Sequence, residues 1–318
     1  MGTFLRIHDP FFTHFVTNRC EHELFLLIPR KEVNDIILYW FVKAHQLFGK
    51  DIEIYAFIFL SDHFHLLLRD PCGQLAKFMC YFQGNVARSL NRLHKRAGKF
   101  WSREFDDVIV DGEDEFWDRF SYTTLNAVKS GLVATPSQWK GVGSYDYLMN
   151  DKPIVATGLN LSKYNEARRH GRDAKKEDFE QRYSFNLTVP PMLRSKPLQK
   201  RVVFFKELFK GAIGKYKKDR LYKPSMGMKK VLAHSPFDRP KKVKRGPRFK
   251  FLSFCKERRK QLEKTYERIV VAYRKVVHWL FLYFEDTSGV PLFVDINFNL
   301  PWPEGTYPPC KHRPAGCA

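Results

Sequence analysis

The sequence predicts an α+β fold: an antiparallel sheet with helices packed on it, followed by a basic, mostly helical C-terminal extension. Three observations predict it. Strand pairs and helical segments alternate as far as Lys129, in the order strand, strand, helix, strand, strand, helix, strand, helix. Beyond Tyr147 that pattern weakens. Charge divides at the same place: residues 1–150 carry 17 Lys and Arg against 18 Asp and Glu, and residues 151–318 carry 38 against 16, nets of −1 and +22. Two units with different tasks are expected, 1–150 and 151–318.

The elements follow in order. Phe11 to Arg19 and Leu24 to Pro29 are rich in Phe, Val, Thr and Leu and read as strands around the polar turn Cys20–Glu23. Val33, Ile36, Ile37, Trp40, Phe41 and Ala44 recur at helical spacing, which predicts a helix over Lys31 to Phe48, closed by Gly49. Asp51 to Leu60 and Phe64 to Leu68 read as two strands joined at Ser61-Asp62-His63. Residues 73–96 read as an amphipathic helix, and Phe105 to Val110 as a short strand. The acidic stretch Asp111 to Glu115 suits a helix N-terminus and opens a helix running to Lys129, stopped by Gly131. In the second half, 151–195 reads as irregular, 198–218 and 251–284 as helices, and the proline-rich tail from Pro291 as a surface wrap.

Bulk composition excludes several classes. A chain of 318 residues with 44% hydrophobic content can bury one or two cores, and six cysteines are too few for a disulfide scaffold. The longest apolar stretch, Val276 to Phe284, falls far short of the ~20 residues of a membrane span. No signal peptide is expected, so the chain reads as a soluble protein of a reducing compartment. A net charge of +21 makes nucleic acid the expected polyanionic partner, without specifying strandedness.

Two local patterns carry chemistry. In His63-Phe64-His65 a strand would place both imidazoles on one face and Phe64 on the other, a start on a metal site; two merely solvated or carbonyl-bonded histidines are the alternative. Tyr122 and Asn126 lie four apart on the expected helix and would share a face, although a tyrosine there is ordinarily a core or rim residue. In the tail, Cys310-Lys311-His312 and Cys317 are spaced irregularly for metal ligands.

The run from Tyr55 through His63-Phe64-His65 to Leu68 resembles the strand and His-hydrophobic-His motif of the HUH single-strand transposases. The run Tyr122-Thr123-Thr124-Leu125-Asn126-Ala127-Val128-Lys129-Ser130-Gly131-Leu132-Val133 resembles their tyrosine helix. Thr17-Asn18-Arg19, Trp101-Ser102-Arg103 and the Trp139 to Tyr145 ending also fit, so the resemblance spans about residues 8–147. It points to the branch of REP-associated tyrosine transposases, with an HUH, ferredoxin-like core. Two departures stand out: Asp62 where the family has Asn, and Ala127 where it has Pro.

The resemblance implies a catalytic Tyr122 and a divalent cation, Mg2+ or Mn2+, held by His63, His65 and Asn126. Cleavage of hairpin or palindromic single-stranded DNA would pass through a 5′-phosphotyrosine link. No small-molecule cofactor or membrane partner is expected, and monomer and homodimer both stay open. The location would be cytoplasmic and nucleoid-associated in a prokaryote. Basic residues expected along the DNA are Arg88, Arg92, Lys95, Arg96, Lys99, Arg103 and Lys129. The run Arg239, Lys241, Lys242, Lys244, Arg245, Arg248 and Lys250, interleaved with Pro240, Gly246 and Pro247, reads as an exposed loop and a second grip. Alternatives from other classes are a domesticated DNA-binding protein and an HUH replication or conjugation initiator.

Overall fold

The computed structural model describes residues 5–7, 9–49, 51–170, 175–240 and 249–284. Its centre is a five-stranded sheet in the order β2 (Glu53–Phe59), β3 (His63–Arg69), β1 (Thr13–Arg19), β4 (Asp106–Val110) and β7 (Phe251–Leu252). Strand β1 (Thr13–Arg19) lies antiparallel between β3 (His63–Arg69) and β4 (Asp106–Val110). Strand β2 (Glu53–Phe59) pairs antiparallel with β3, with a shift of register between Ile54 and Ala56. Both strands are almost wholly buried, which is why they read as apolar runs without clean alternation.

Helices cover both faces. On one side lie α1 (Lys31–Phe48) and α2 (Leu75–Leu93), closing a core of Phe41, Phe57, Phe59, Phe64, Phe78 and Phe82. On the other lie α3 (Glu113–Thr124) and the short α4 (Asn126–Lys129), with Phe116 and Phe120 over Tyr55 and Leu67. The helix expected as one piece from Glu113 to Lys129 is interrupted at the buried Leu125 (φ −106°, ψ 12°). Gly112 precedes α3 at φ +122°, and a Cβ there would meet the Glu115 carboxylate at 2.1 Å.

The second half adds to both layers. After the short α5 (Tyr145–Asn150), strand β5 (Ile154–Leu159) pairs antiparallel with β6 (Glu180–Phe185), flanking α6 (Leu161–Arg169), and this ribbon packs on α1. Helix α7 (Leu198–Asp219) sets Phe205 and Phe209 against Phe120, and α8 (Met228–Ala233) brings Val231 to Ala127 and Val128. Strand β7 (Phe251–Leu252) joins β4 in parallel, and α9 (Lys256–Phe284) follows it. Packing thus runs across the change of charge at residue 150.

Three expectations are corrected. Leu24 to Pro29 forms no strand, because β3 takes the place beside β1; its Phe25 and Leu27 N–H groups donate to Asp238 and Ser61 instead. Residues 151–195 are not irregular throughout but contain the β5–β6 ribbon. Lys250 does not lie in an exposed loop: it is buried, and its Nζ donates to the Asp107 backbone oxygen and carboxylate. Residues 241–248 and the tail from Pro291, with its Cys310, His312 and Cys317, fall outside the described residues.

Candidate active site

The register of β1 and β3 decides what the α3 face of the sheet presents. Arg19 pairs with His63, Thr17 with His65 and Phe15 with Leu67, so alternation puts His63, His65, Phe15, Thr17 and Arg19 on that face. Phe64 points into the opposite core, as the spacing predicts. The two imidazole rings lie 4.9 Å apart at 80°.

The two histidines are in different states of satisfaction. His63 shares Nδ1 with the Asp62 carboxylate at 2.6 Å, which fixes the orientation of the ring. Burial pushes the Asp62 carboxyl up, but the charge and hydrogen bond of His63 outweigh it and hold the group below the usual range. His65 is buried and neither of its ring nitrogens has a hydrogen-bond partner. Burial, then the charges of His63, Arg19, Arg119 and Lys129, push its pKa well down, so the ring is neutral at neutral pH.

Tyr122, on the last turn of α3, is partly buried with its ring edge-on to His65 at 5.2 Å and to Phe15 at 5.7 Å. Phe15 in turn stacks on His65 at 5.1 Å. Two cations flank the phenol ring: Lys129 Nζ lies 4.0 Å and Arg119 Cζ 4.7 Å from its centroid. Asn126 opens α4, is buried, and accepts a hydrogen bond from Ser130 Oγ at 2.9 Å.

Among the described residues, no three His, Cys, Asp or Glu gather as a metal-binding group. A cation here would rest on His63 and His65 with a neutral oxygen such as that of Asn126. The orphaned nitrogens of a neutral, buried imidazole fit that role, since such a ring is otherwise costly to bury.

The expected DNA-contacting residues are dispersed. Arg88 and Arg92 are exposed on α2, which covers the opposite face of the sheet. Lys95, Arg96 and Lys99 lie in the loop after it, where Arg96 donates to Asn91 and Lys99 to the Ser102 carbonyl. Arg103 pairs with Asp106, whose strand position lies opposite Thr17 on the His65 face. Arg239 is exposed, and among the described residues of the set only Lys129 touches Tyr122. Sequence reasoning missed Arg19, Arg119 and Tyr216. Arg119 sits three positions before Tyr122 and was findable from helical spacing; Tyr216, 5.6 Å from Lys129 Nζ, comes from α7 and left no local signal.

Among the described residues no helix is long and apolar enough to cross a membrane. No protein-family profile matches the chain, and no curated protein sequence does. Among solved structures, the chain is similar to a REP-associated tyrosine transposase bound to a REP hairpin, at 17% identity and a TM-score of 0.38, over 46% of this chain and 84% of that one. It is also similar to a candidate transposase from Deinococcus radiodurans R1, at 18% identity and a TM-score of 0.26, over 34% and 85%.

Proposed function

We propose that the chain is a single-strand DNA nuclease and strand transferase with Tyr122 as nucleophile, acting on hairpin DNA beside a divalent cation, Mg2+ or Mn2+. The observation that carries this is the ring of Tyr122 set 5.2 Å from His65, a buried imidazole with no partner for either nitrogen. His63, oriented by Asp62, and His65 would hold the cation together with Asn126. Bound there, a divalent cation would polarise the scissile phosphate and offset charge in the transition state.

The chain's own groups account for the rest. The Tyr122 oxygen attacks phosphorus as the bond from phosphorus to the 3′ oxygen breaks, and the phenol's proton passes, directly or through water, to that leaving oxygen. The products are a 5′-phosphotyrosine link and a free 3′-hydroxyl, and a second 3′-hydroxyl can reverse the step to join strands. Arg19, Arg119 and Lys129 surround the reacting groups with fixed positive charge, which attracts the phosphate and stabilises it as negative charge grows. The basic residues Arg88 to Arg103 on α2 and its loop, and Arg239 with Lys241, Lys242, Lys244, Arg245 and Arg248 but not the buried Lys250, would follow the DNA backbone.

Incubation with single-stranded hairpin DNA and Mn2+ tests this. Wild-type protein is expected to form a covalent protein–DNA adduct that Tyr122→Phe loses while still binding the hairpin. Cleavage that persists in Tyr122→Phe would rule out the nucleophile. Tight binding without an adduct in the wild type would leave a DNA-binding protein.

A further inference from the structure

Helix α7 belongs to the basic half, yet it packs against the outer side of the tyrosine helix. Phe120 stacks on Phe205 at 5.4 Å and on Phe209 at 6.1 Å, interplanar angles 22° and 10°. Past the end of α7, the N–H groups of Met226 and Gly227 donate to the Gly131 and Leu132 carbonyls at 2.8 and 2.9 Å. Gly131 is at φ +72°, and a Cβ there would meet the Arg220 guanidinium at 2.4 Å. The α3–α4 segment is therefore held from outside at its middle and just past its C-terminal end.

Between those two attachments α7 delivers Tyr216, a buried side chain. Lys129 Nζ lies 4.0 Å from the Tyr122 centroid and 5.6 Å from that of Tyr216, so the ammonium is within cation–π reach of both phenol rings. We propose that Tyr216 is a positioning residue for the reaction at Tyr122, its ring holding the Lys129 ammonium against the nucleophile, a role that rests on the nuclease reading above. A lysine left to itself would extend into water, where a flexible, strongly hydrated charge does little for a neighbour. Held beside Tyr122, it is a fixed positive charge where the phenol oxygen and the attacked phosphate gather negative charge.

Two further observations agree. Burial, then Asp118, pushes the Tyr216 phenol up to about 12, so the ring stays neutral and presents a π face to the ammonium. Lys129 is exposed as a residue, yet partial desolvation, then Arg119, lowers its pKa, as expected for a side chain lying along the site.

Single-turnover adduct formation on hairpin DNA tests the assignment. Tyr216→Leu is expected to slow the step about tenfold at saturating DNA while binding changes little, and Tyr216→Phe, which keeps a ring, to restore most of the rate. Lys129→Met is expected to be slow, and adding Tyr216→Leu to it to cost nothing more, because both remove one interaction. Independent losses in the double variant, or a Tyr216→Phe as slow as Tyr216→Leu, would overturn the role.

A measurement without DNA separates this from the parent reading. Ring currents from two flanking phenols should shift the Lys129 ε-methylene protons upfield in the wild-type spectrum, and Tyr216→Leu should return them partway. An unshifted Lys129 overturns the proposal even in an active protein. If the shift is present but the wild type forms no adduct, the nuclease reading has failed and the catalytic role falls with it.

Discussion

The two faces of the central sheet are built on different rules. Under α1 and α2 the sheet is covered by phenylalanines packed ring to ring, Phe41 alone lying within 6 Å of Phe57, Phe59, Phe78, Phe82 and Phe185. Polar residues there are mostly tied: Asn18 donates to Gln83 and His14 Nδ1 pairs with Asp107, and only the second nitrogens, His14 Nε2 and Gln83 Nε2, are left unmet among the described residues of these pairs. Under α3 and α4 the buried hydroxyls of Ser121, Thr123 and Thr124 and both nitrogens of His65 have no partner. Natural cores seldom leave such groups unmet, so their concentration on the face that carries Tyr122 separates a face selected for stability from one selected for chemistry.

If the first face is structural, damage to it should cost stability and spare chemistry. Phe82→Ala removes a ring that meets Phe41, Phe59, Phe64 and Phe78, and should cost roughly 3–5 kcal/mol in urea unfolding. The adduct yield per folded molecule should not change. A yield that falls well ahead of stability would blur the contrast between the faces.

The buried charges at the far edge of the sheet give the next largest effect. Asp107 sits between His14 Nδ1 at 2.8 Å and Lys250 Nζ at 3.3 Å, all three buried. Burial alone would raise the Asp107 carboxyl, but the charges of His14 and Lys250 hold it well below the usual range. Lys250→Met strips one partner from a buried carboxylate and should cost about 3 kcal/mol, with protection of the β4–β7 amides from hydrogen exchange lost first. Exchange unchanged at Phe251 and Leu252 would show that Lys250 does not hold β7 in place.

Acid gives a smaller, signed effect on the first face. His45 stacks on Phe185 at 4.0 Å and joins α1 to the β5–β6 ribbon; burial lowers its pKa to about 4. The unfolded chain, near 6.5, takes up the proton first, so stability is full above pH 6.5, declines toward pH 4 and then levels off. The full shift would be worth roughly 3.4 kcal/mol; discounted for the ring's partial exposure to solvent, the loss should be about 2 kcal/mol, and His45→Leu should remove that part of the pH dependence. An equal pH slope in the variant would assign the acid sensitivity elsewhere.

What the sequence disclosed follows the range of the forces involved. His63 and His65 share a face because strand alternation is local, and Lys31–Phe48 is a helix because its apolar spacing is local. Leu24 to Pro29 has a strand's composition but no vacant edge, since β3 had already claimed the side of β1, a fact of pairing and not of propensity. The β5–β6 ribbon escaped notice because Glu180-Gln181-Arg182 is polar on its outward side. Lys250 looked like part of a solvated basic run, and only the distant Asp107 shows that it is not. Arg19 and Tyr216 reach the site through sheet register and helix packing, over separations no local pattern spans.

The smallest effect on stability is the sharpest test of the comparison, because its sign is opposite to the others. His65→Leu replaces a buried ring with two unmet nitrogens by an apolar side chain of similar reach, among Phe15, Tyr122 and Leu67. Removing an unsatisfied buried polar group returns its desolvation cost, and the smaller volume gives part of that back, leaving a net gain of about 1 kcal/mol without metal. Adding Mn2+ should raise the Tm of the wild type and not that of the variant, and the variant should form no adduct. A residue present only for packing would show the reverse: lower stability on substitution and chemistry retained. A variant that is destabilised with or without Mn2+ would therefore mean that His65 is a core residue and that the α3 face, like the other, was shaped for folding.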